Sequence, residues 1–158
     1  MSWQRGRTDI ERLLRDGELE HITPSDTVAH RLLTDAEAHI RLATKGLLDD
    51  PSGALQLSYD ASRKASAALL AIQGLRATTR GGHIAVIDAV RAQFNGRGGM
   101  EVFGKLHRLR RRRNATEYPD VTSPGVTEHE ARGALDTACD AVVAARRLMD
   151  SGKLAPFA

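Results

Sequence analysis

Apolar residues recur at every third or fourth position through several long stretches of this 158-residue chain. The spacing is clearest from Val28 through Ala36 to Leu47, and it returns between Ala131 and Ala145. Such spacing places the apolar side chains on one face of an α-helix. No stretch shows the alternation with period two that is typical of a half-buried strand, and aromatic residues, which strands favour, make up only 4 % of the sequence. The sequence therefore predicts an all-α fold.

Turn and capping residues divide the chain into four to six helices of an up-down bundle. Residues 8–11 (Thr-Asp-Ile-Glu) and 127–130 (Thr-Glu-His-Glu) have the spacing of a capping box, which begins a helix. The main helices are predicted near 26–49, 53–74, 83–94, 100–113 and 127–150. The side chains expected to be buried together are Leu32, Ile40, Leu69, Ile72, Ile87, Leu106, Leu135 and Val142.

Length and composition suit one domain over residues 1–158. Within it we expect a short helix and lead-in at 1–24, the bundle at 25–150 and a tail at 151–158. The N-terminus has no apolar stretch of the kind found in signal peptides, and no run approaches the roughly 18 apolar residues that would span a bilayer. We therefore expect a cytoplasmic protein without a membrane partner.

The histidines and the single cysteine, Cys139, show no spacing typical of a metal site. We therefore expect no metal ion and no cofactor. Residues 80–83 (Arg-Gly-Gly-His) precede a predicted helix, and an anion bound at that helix N-terminus is a secondary hypothesis.

Positive charge is concentrated in residues 97–113. Seven Lys and Arg side chains and one carboxylate give this segment a charge of +6, while the rest of the chain carries −3 of the net +3. Guanidinium groups bind phosphate or carboxylate through paired hydrogen bonds. Cations also stabilise a helix C-terminus, but four consecutive arginines repel one another more than that role requires. We therefore predict one exposed site for a phosphate-bearing ligand or an acidic partner. Its residues are Arg108, Arg110, Arg111, Arg112, Arg113, Asn114, Glu117 and Tyr118.

Residues 113–118 (Arg-Asn-Ala-Thr-Glu-Tyr) resemble the motif of the HEPN superfamily, in which an arginine, often followed by asparagine, precedes a histidine by four to six positions. Arg113 and Asn114 match the first two positions, and Tyr118 stands where the histidine is expected. The helix is expected to end at or just after Asn114, with Tyr118 within reach of Arg113. The next histidine along the chain, His129, lies beyond two prolines, so we expect none near Arg113.

The resemblance, which covers about residues 26–150, implies a helical bundle that forms a homodimer. Catalytic HEPN proteins resemble metal-independent RNases, in which the histidine and arginine activate the ribose 2′-OH and stabilise the phosphate. A tyrosine, with its pKa of about 10, is a poor general base at neutral pH. We therefore predict no catalytic residues and no RNA cleavage above background.

Three functions remain open. The first is a non-catalytic HEPN-like subunit that binds a protein partner, as the antitoxin or the modified partner in a toxin–antitoxin or phage-defence pair. The resemblance implies a nucleotidyltransferase-type toxin as that partner, and Tyr118 is a candidate for its modification. The second is a HEPN-type RNase toxin. The third is a protein that binds RNA or another nucleic acid through its phosphates. The missing histidine favours the first function over the second, and the scarcity of aromatic residues disfavours recognition of single-stranded bases.

Overall fold

The computed structural model describes residues 3–96, 98 and 100–158. Two residues of the predicted basic segment, Arg97 and Gly99, lie outside the described residues. Within them the elements follow in this order: α1 (Arg7–Arg15), β1 (Leu19–His21), α2 (Asp26–Gly46), α3 (Pro51–Ile72), β2 (Leu75–Ala77), α4 (Gly82–Phe94), a 3-10 helix (Glu101–Gly104), α5 (Leu106–Glu117) and α6 (Glu128–Asp150). The prediction of an all-α helical bundle is confirmed.

Helix α3 lies at the centre of the bundle and packs against α2, α4, α5 and α6. Its buried residues are mostly small, which lets the neighbouring helices approach closely. The hydroxyls of Ser58, Ser62 and Ser66 are fully buried, and each donates a hydrogen bond to the carbonyl four residues earlier in the helix. Burial therefore leaves none of the three without a partner.

The buried face of α2 differs from the predicted one only in the first turns of the helix, and Ala36 and Leu47 are buried as predicted. Ala29 and Leu33 are fully buried, whereas Val28 is exposed and Leu32 is only half-buried. The two faces are one residue apart, a rotation of about 100°. Since α2 packs along α3, the smaller Ala29 lies in the interface and Leu32 covers its edge.

The rest of the predicted core is partly correct. Leu69, Ile87, Leu106 and Val142 are buried in the main cluster. Three further predicted residues do not share it as expected: Ile40 and Ile72 are half-buried, and Leu135 belongs to a second cluster. That second cluster lies where α2, α3 and α6 meet, and it consists of Ala43, Leu47, Ala54, Ala131 and Leu135.

Only one of the two predicted capping boxes forms a cap. At the start of α6, the hydroxyl of Thr127 accepts a hydrogen bond from the backbone N–H of Glu130 at 3.1 Å. At the start of α1, the helix begins at Arg7, before Thr8, and its N-cap is Gly6 with φ of 71°. A Cβ at Gly6 would lie 2.9 Å from the backbone of Ala92, so this close approach requires a glycine.

A two-stranded antiparallel sheet, which we did not predict from the sequence, pairs the segment before α2 with the segment after α3. Leu19 pairs with Ala77 and His21 with Leu75. Three residues per strand are too few to show a periodicity in the sequence.

Both terminal segments contribute to the core. Ile10 and Leu13 of α1 are fully buried. Leu154 and Phe157, in the predicted tail, are also buried, and the backbone N–H of Phe157 donates to the carbonyl of Gln73 at 2.9 Å. None of the helices described is both long and apolar enough to cross a membrane.

Candidate functional site

Helix α5 directs its basic side chains to three different faces. Successive residues of an α-helix are about 100° apart, so four consecutive arginines cannot share one face. The face toward α3 and α4 carries Leu106, Arg110, Arg113 and Glu117. The face toward α6 carries Lys105, Arg108, Leu109 and Arg112. The third face carries His107, Arg111 and Asn114. It is exposed at Arg111, whereas Nε2 of His107 lies 2.6 Å from Oδ1 of Asp88 in α4.

The prediction of one exposed electropositive site is therefore wrong. Arg112 and Arg113 are half-buried in ion pairs, whereas Arg108 and Arg111 are exposed. The helix also extends to Glu117, three residues past Asn114, because the prolines of the following loop begin only at Pro119. Some arginines of this +6 segment are thus paired with acidic residues, and others are exposed to solvent.

Arg112 fastens α5 to the start of α6. Its guanidinium donates to both carboxylate oxygens of Glu130, at 2.5 and 2.9 Å, and to the carbonyls of Pro124 and Gly125 at 3.3 and 3.4 Å. The hydrogen bonds and charge of Arg112 hold the pKa of Glu130 below its usual range, although partial burial opposes this. Glu130 is thus occupied by Arg112 and does not complete the capping box with Thr127.

Arg113 lies over the ring of Tyr59 in α3. Its guanidinium carbon is 5.7 Å from the ring centroid, and its Nη1 is 2.5 Å from Oε2 of Glu117. A guanidinium at this distance from an aromatic face makes a cation–π contact. Tyr118 makes no contact with Arg113 among the described residues; it follows the last turn of α5 and is 80 % exposed. Asn114 is half-buried, and its side-chain oxygen accepts from Arg113 at 3.3 Å.

Tyr59 links Arg113 to a histidine from α4. The Tyr59 hydroxyl is 3.0 Å from Nδ1 of His83, and the two rings are 5.7 Å apart. Burial raises the pKa of Tyr59 above its ordinary value, against the lowering effect of nearby arginines, so the hydroxyl keeps its proton. Which of the two groups donates depends on the tautomer of His83. In the tautomer whose Nδ1 accepts from the hydroxyl, the neutral imidazole carries its own proton on Nε2.

The charge around His83 favours this neutral form. Loss of water contact lowers the pKa of His83, and the positive charges of Arg63, Arg113 and Arg110 lower it further. The expectation that no histidine lies near Arg113 is therefore wrong. His83 comes from a different helix, 30 positions earlier in the sequence, and spacing along the motif could not reveal it.

Tyr59, His83 and Arg113 line a pocket of about 460 Å³, here named the Tyr59 pocket. Asp60 and His39 line it as well. The remaining lining residues are Gly53, Gln56 and Leu57.

The Asp60 side of the pocket is a network of charged groups. Arg63 donates to Oδ1 of Asp60 at 3.1 and 2.5 Å, and Nε2 of His39 is 3.0 Å from Oδ2. Lys64 Nζ lies 2.9 Å from the same histidine nitrogen and 3.4 Å from Oδ2. Burial opposes ionisation of Asp60, but the hydrogen bond and charge of Arg63, with Lys64, hold its pKa below the usual range.

Arg110 differs from the other arginines near the Tyr59 pocket because no acid neutralises it. Its charge acts on both Tyr59 and His83, yet it forms no ion pair with any described residue. Its Nε is buried and has no hydrogen-bond acceptor in the described part of the chain. Arg110 is not among the side chains that line the pocket, so it contributes positive charge to the site rather than a hydrogen bond.

The sequence did not identify Tyr59, His39 or Asp60 as site residues. Tyr59 lies within the alanine-rich face of α3, where it reads as a core residue, and it is indeed 2 % exposed. The one signal for His83 was its position at the predicted start of α4, in residues 80–83. In the structure α4 begins at Gly82, so His83 is in its first turn.

No group of three or more His, Cys, Asp or Glu side chains among the described residues could hold a metal ion. Cys139 is half-buried, and burial raises the pKa of its thiol, with Asp136 and Asp140 adding to the effect. Comparison of the chain with protein-family models, with curated proteins and with solved structures finds no match.

Proposed function

We propose that this protein binds a phosphate-bearing ligand of the RNA or nucleotide class in the Tyr59 pocket. The observation that carries the proposal is that Arg113, Tyr59 and His83 meet at this pocket, with the positive charge of Arg110 acting on it. Arg113 would donate to the phosphate oxygens, since guanidinium and phosphate form paired, charge-assisted hydrogen bonds. His83 would donate as well in the tautomer that carries its proton on Nε2.

The resemblance of residues 113–118 to the HEPN motif supports RNA as the ligand class. In that family the arginine of the motif stabilises a phosphate, and Arg113 is the matching residue here. The pocket volume of about 460 Å³ lies within the range of small-molecule sites and suits a nucleotide-sized group. A homodimer, as the resemblance implies, is part of this proposal.

RNA cleavage is a second candidate function, and the position of His83 is the observation that favours it. His83 supplies an imidazole to the same pocket as Arg113, which the motif itself lacks. In the tautomer whose Nδ1 accepts from Tyr59, however, Nε2 carries a proton, and His83 is then a donor rather than a base. We therefore keep the prediction that the protein does not cleave RNA above background. Metal-independent cleavage that disappears in His83→Ala would overturn it.

The role as a partner-binding subunit of a toxin–antitoxin or phage-defence pair stays a prediction from the sequence. Tyr118 remains a candidate for modification by a nucleotidyltransferase-type partner, since its ring is exposed and its hydroxyl makes no hydrogen bond within the described residues. A cytoplasmic location is the setting that both proposals require.

Binding of a fluorescein-labelled uridine decanucleotide, and of ADP, tests the proposal. Arg113→Gln should weaken binding by about tenfold or more, the loss expected for a charge-assisted contact. Arg110→Gln should weaken it by a smaller factor, because Arg110 acts on the pocket through its charge and does not line it. Arg111→Gln is the matched control: it removes the same charge from an exposed position on the third face of α5 and should change affinity by no more than about twofold. If all three variants weaken binding equally, the ligand responds to net charge and the pocket proposal fails.

Glu117→Gln provides a test in the opposite direction. Glu117 pairs with Arg113, so its neutralisation releases the guanidinium and removes a negative charge near the ligand. Affinity for the same probes should rise, because less competition and less repulsion oppose the phosphate. An unchanged or lower affinity, with an unchanged melting temperature, would argue against Arg113 as a phosphate contact.

A further inference from the structure

A second cavity lies between α5 and α6 and is also lined by Leu55 of α3. It has a volume of about 390 Å³ and is here named the α5–α6 groove. Arg108 and Leu109 of α5 line it together with Lys105, the residue before that helix, and Gly133 and Ala134 line it from α6. The Arg112–Glu130 ion pair closes one of its walls.

Gly133 is the unexpected residue of this groove. It lies in the second turn of α6, where glycine costs about 1 kcal/mol of helix stability relative to alanine. A Cβ at this position would meet no atom within 4 Å, so nothing in the chain itself requires a glycine there. The rest of α6 is rich in alanine, including Ala131 and Ala134 on either side. A glycine that internal packing does not need allows another backbone to approach closely.

The charges of the basic residues that line the groove indicate which kind of partner it binds. Lys105 and Arg108 are exposed and form no ion pair among the described residues. The charge of Arg112 is cancelled by Glu130. Lys105 and Arg108 are therefore the unpaired cations of the groove. Leu109 and Ala134 add apolar surface to it.

We propose that the α5–α6 groove binds an acidic segment of a partner protein. The segment's backbone lies against Gly133, an apolar side chain contacts Leu109, and two carboxylates pair with Lys105 and Arg108. A nucleic acid fits less well, because no aromatic ring lines the groove to stack on a base. This inference is independent of the phosphate ligand, since no residue lines both cavities.

Selection from a displayed library of random 12-residue peptides tests the inference. Peptides are selected on the wild-type protein alone, and the retained peptides are then compared on the wild type and on Gly133→Met, in which the new side chain fills the groove. We expect the retained peptides to contain at least two Asp or Glu residues around an apolar residue. Their Kd, measured by calorimetry, should rise by about tenfold or more in Gly133→Met and in the Lys105→Gln, Arg108→Gln double variant.

Two matched controls separate the groove from general charge and from helix stability. Gly46→Met makes the same substitution at another helical glycine whose Cβ would meet no atom, and it should leave the Kd within about twofold. Arg111→Gln removes one exposed charge outside the groove and should behave likewise.

Several outcomes would overturn the inference. These are an absence of enrichment, enrichment of sequences without acidic residues, or retained peptides that bind Gly133→Met as well as they bind the wild type. A uridine oligonucleotide whose affinity falls in Gly133→Met would make the groove part of an RNA path instead. A dimer that dissociates only in Gly133→Met, observed by sedimentation, would make a second copy of the chain the occupant. Loss of peptide binding with RNA binding intact leaves the Tyr59 pocket unaffected.

Discussion

Helices α3 and α5 are in contact, yet different kinds of side chain hold each in place. α3 is buried along nearly its whole length by small and aliphatic residues. α5 has one buried side chain, Leu106, and is otherwise fixed by polar contacts to three other helices: His107 with Asp88 of α4 at 2.6 Å, Arg112 with Glu130 of α6, and Arg113 over Tyr59 of α3. The position of α3 is thus set by the packing of apolar side chains, whereas the position of α5 is set by the polar contacts of its individual basic side chains.

This difference bears on function as well as on stability. A helix held by packing offers few side chains for a ligand, because most of them are committed to the core. A helix held by ion pairs can leave some cations unpaired, and α5 leaves Lys105, Arg108, Arg110 and Arg111 without an acidic partner among the described residues. The two cavities beside α5 are where such cations meet recessed surface.

The largest expected effect is a loss of packing in α3. Leu69 is fully buried in the main cluster, so Leu69→Ala should lower the free energy of unfolding by roughly 2–5 kcal/mol. Leu109→Ala in α5, where the side chain is half-buried, should cost no more than about 1.5 kcal/mol. Urea unfolding followed by circular dichroism measures both. Equal losses would show that α5 also depends chiefly on packing.

A smaller effect is expected from the ion pair that fastens α5 to α6. A double-mutant cycle of Arg112→Met and Glu130→Gln should give a coupling free energy of about 1 kcal/mol, since both side chains are only partly buried. Arg132 and Glu128 on the surface of α6 form the control pair, with an expected coupling below about 0.5 kcal/mol. A coupling free energy no larger than that of the control pair would show that the Arg112–Glu130 pair does not hold α5 against α6.

The same pair should show a defined pH dependence. The pKa of Glu130 is lowered in the folded state, so its contribution to stability is complete above the ordinary glutamate pKa of about 4.3. It is lost as the pH falls through the lowered folded-state value. The stability difference between wild type and Glu130→Gln should therefore shrink between pH 5 and acid unfolding, as urea titrations at stepped pH would show.

The smallest effect concerns the protonation of His83. Its pKa should lie below the ordinary histidine value of about 6.5, as measured by NMR titration of the ring protons. Because the folded state disfavours the charged form, this residue contributes stability above that ordinary value and loses it as the pH falls below. Arg113→Gln should raise the His83 pKa toward the ordinary value, and Arg111→Gln should not. A His83 pKa that Arg113→Gln leaves unchanged would separate the two residues and weaken the case for a shared site.

The helices could be predicted from the sequence because their causes are local. Thr127 before α6 and the three/four spacing of apolar residues act within a turn or two of the chain. The same reasoning failed at α1, where the backbone of Ala92 in α4 selects a glycine cap. It also failed by one residue on α2, where contact with α3 decides between Val28 and Ala29.

The candidate site was predictable only in part. Arg113 could be found because it lies in a recognisable motif and a basic run. Its partners could not: Tyr59 is 54 positions away and His83 is 30, and only the packing of α3, α4 and α5 brings them together. The sequence also could not show which arginines lack an acidic partner, because Glu130, which pairs with Arg112, belongs to a different helix.

The sequence by itself determined that the chain is helical, where most of its helices lie and which segment concentrates positive charge, since these follow from neighbouring residues. Only the tertiary structure decided which cations are neutralised and which lie beside a histidine or a groove. The physical reason is range: helix propensity and periodicity act over a few residues, whereas an ion pair, a lowered pKa or a cavity requires atoms from different helices to lie within a few ångströms of one another.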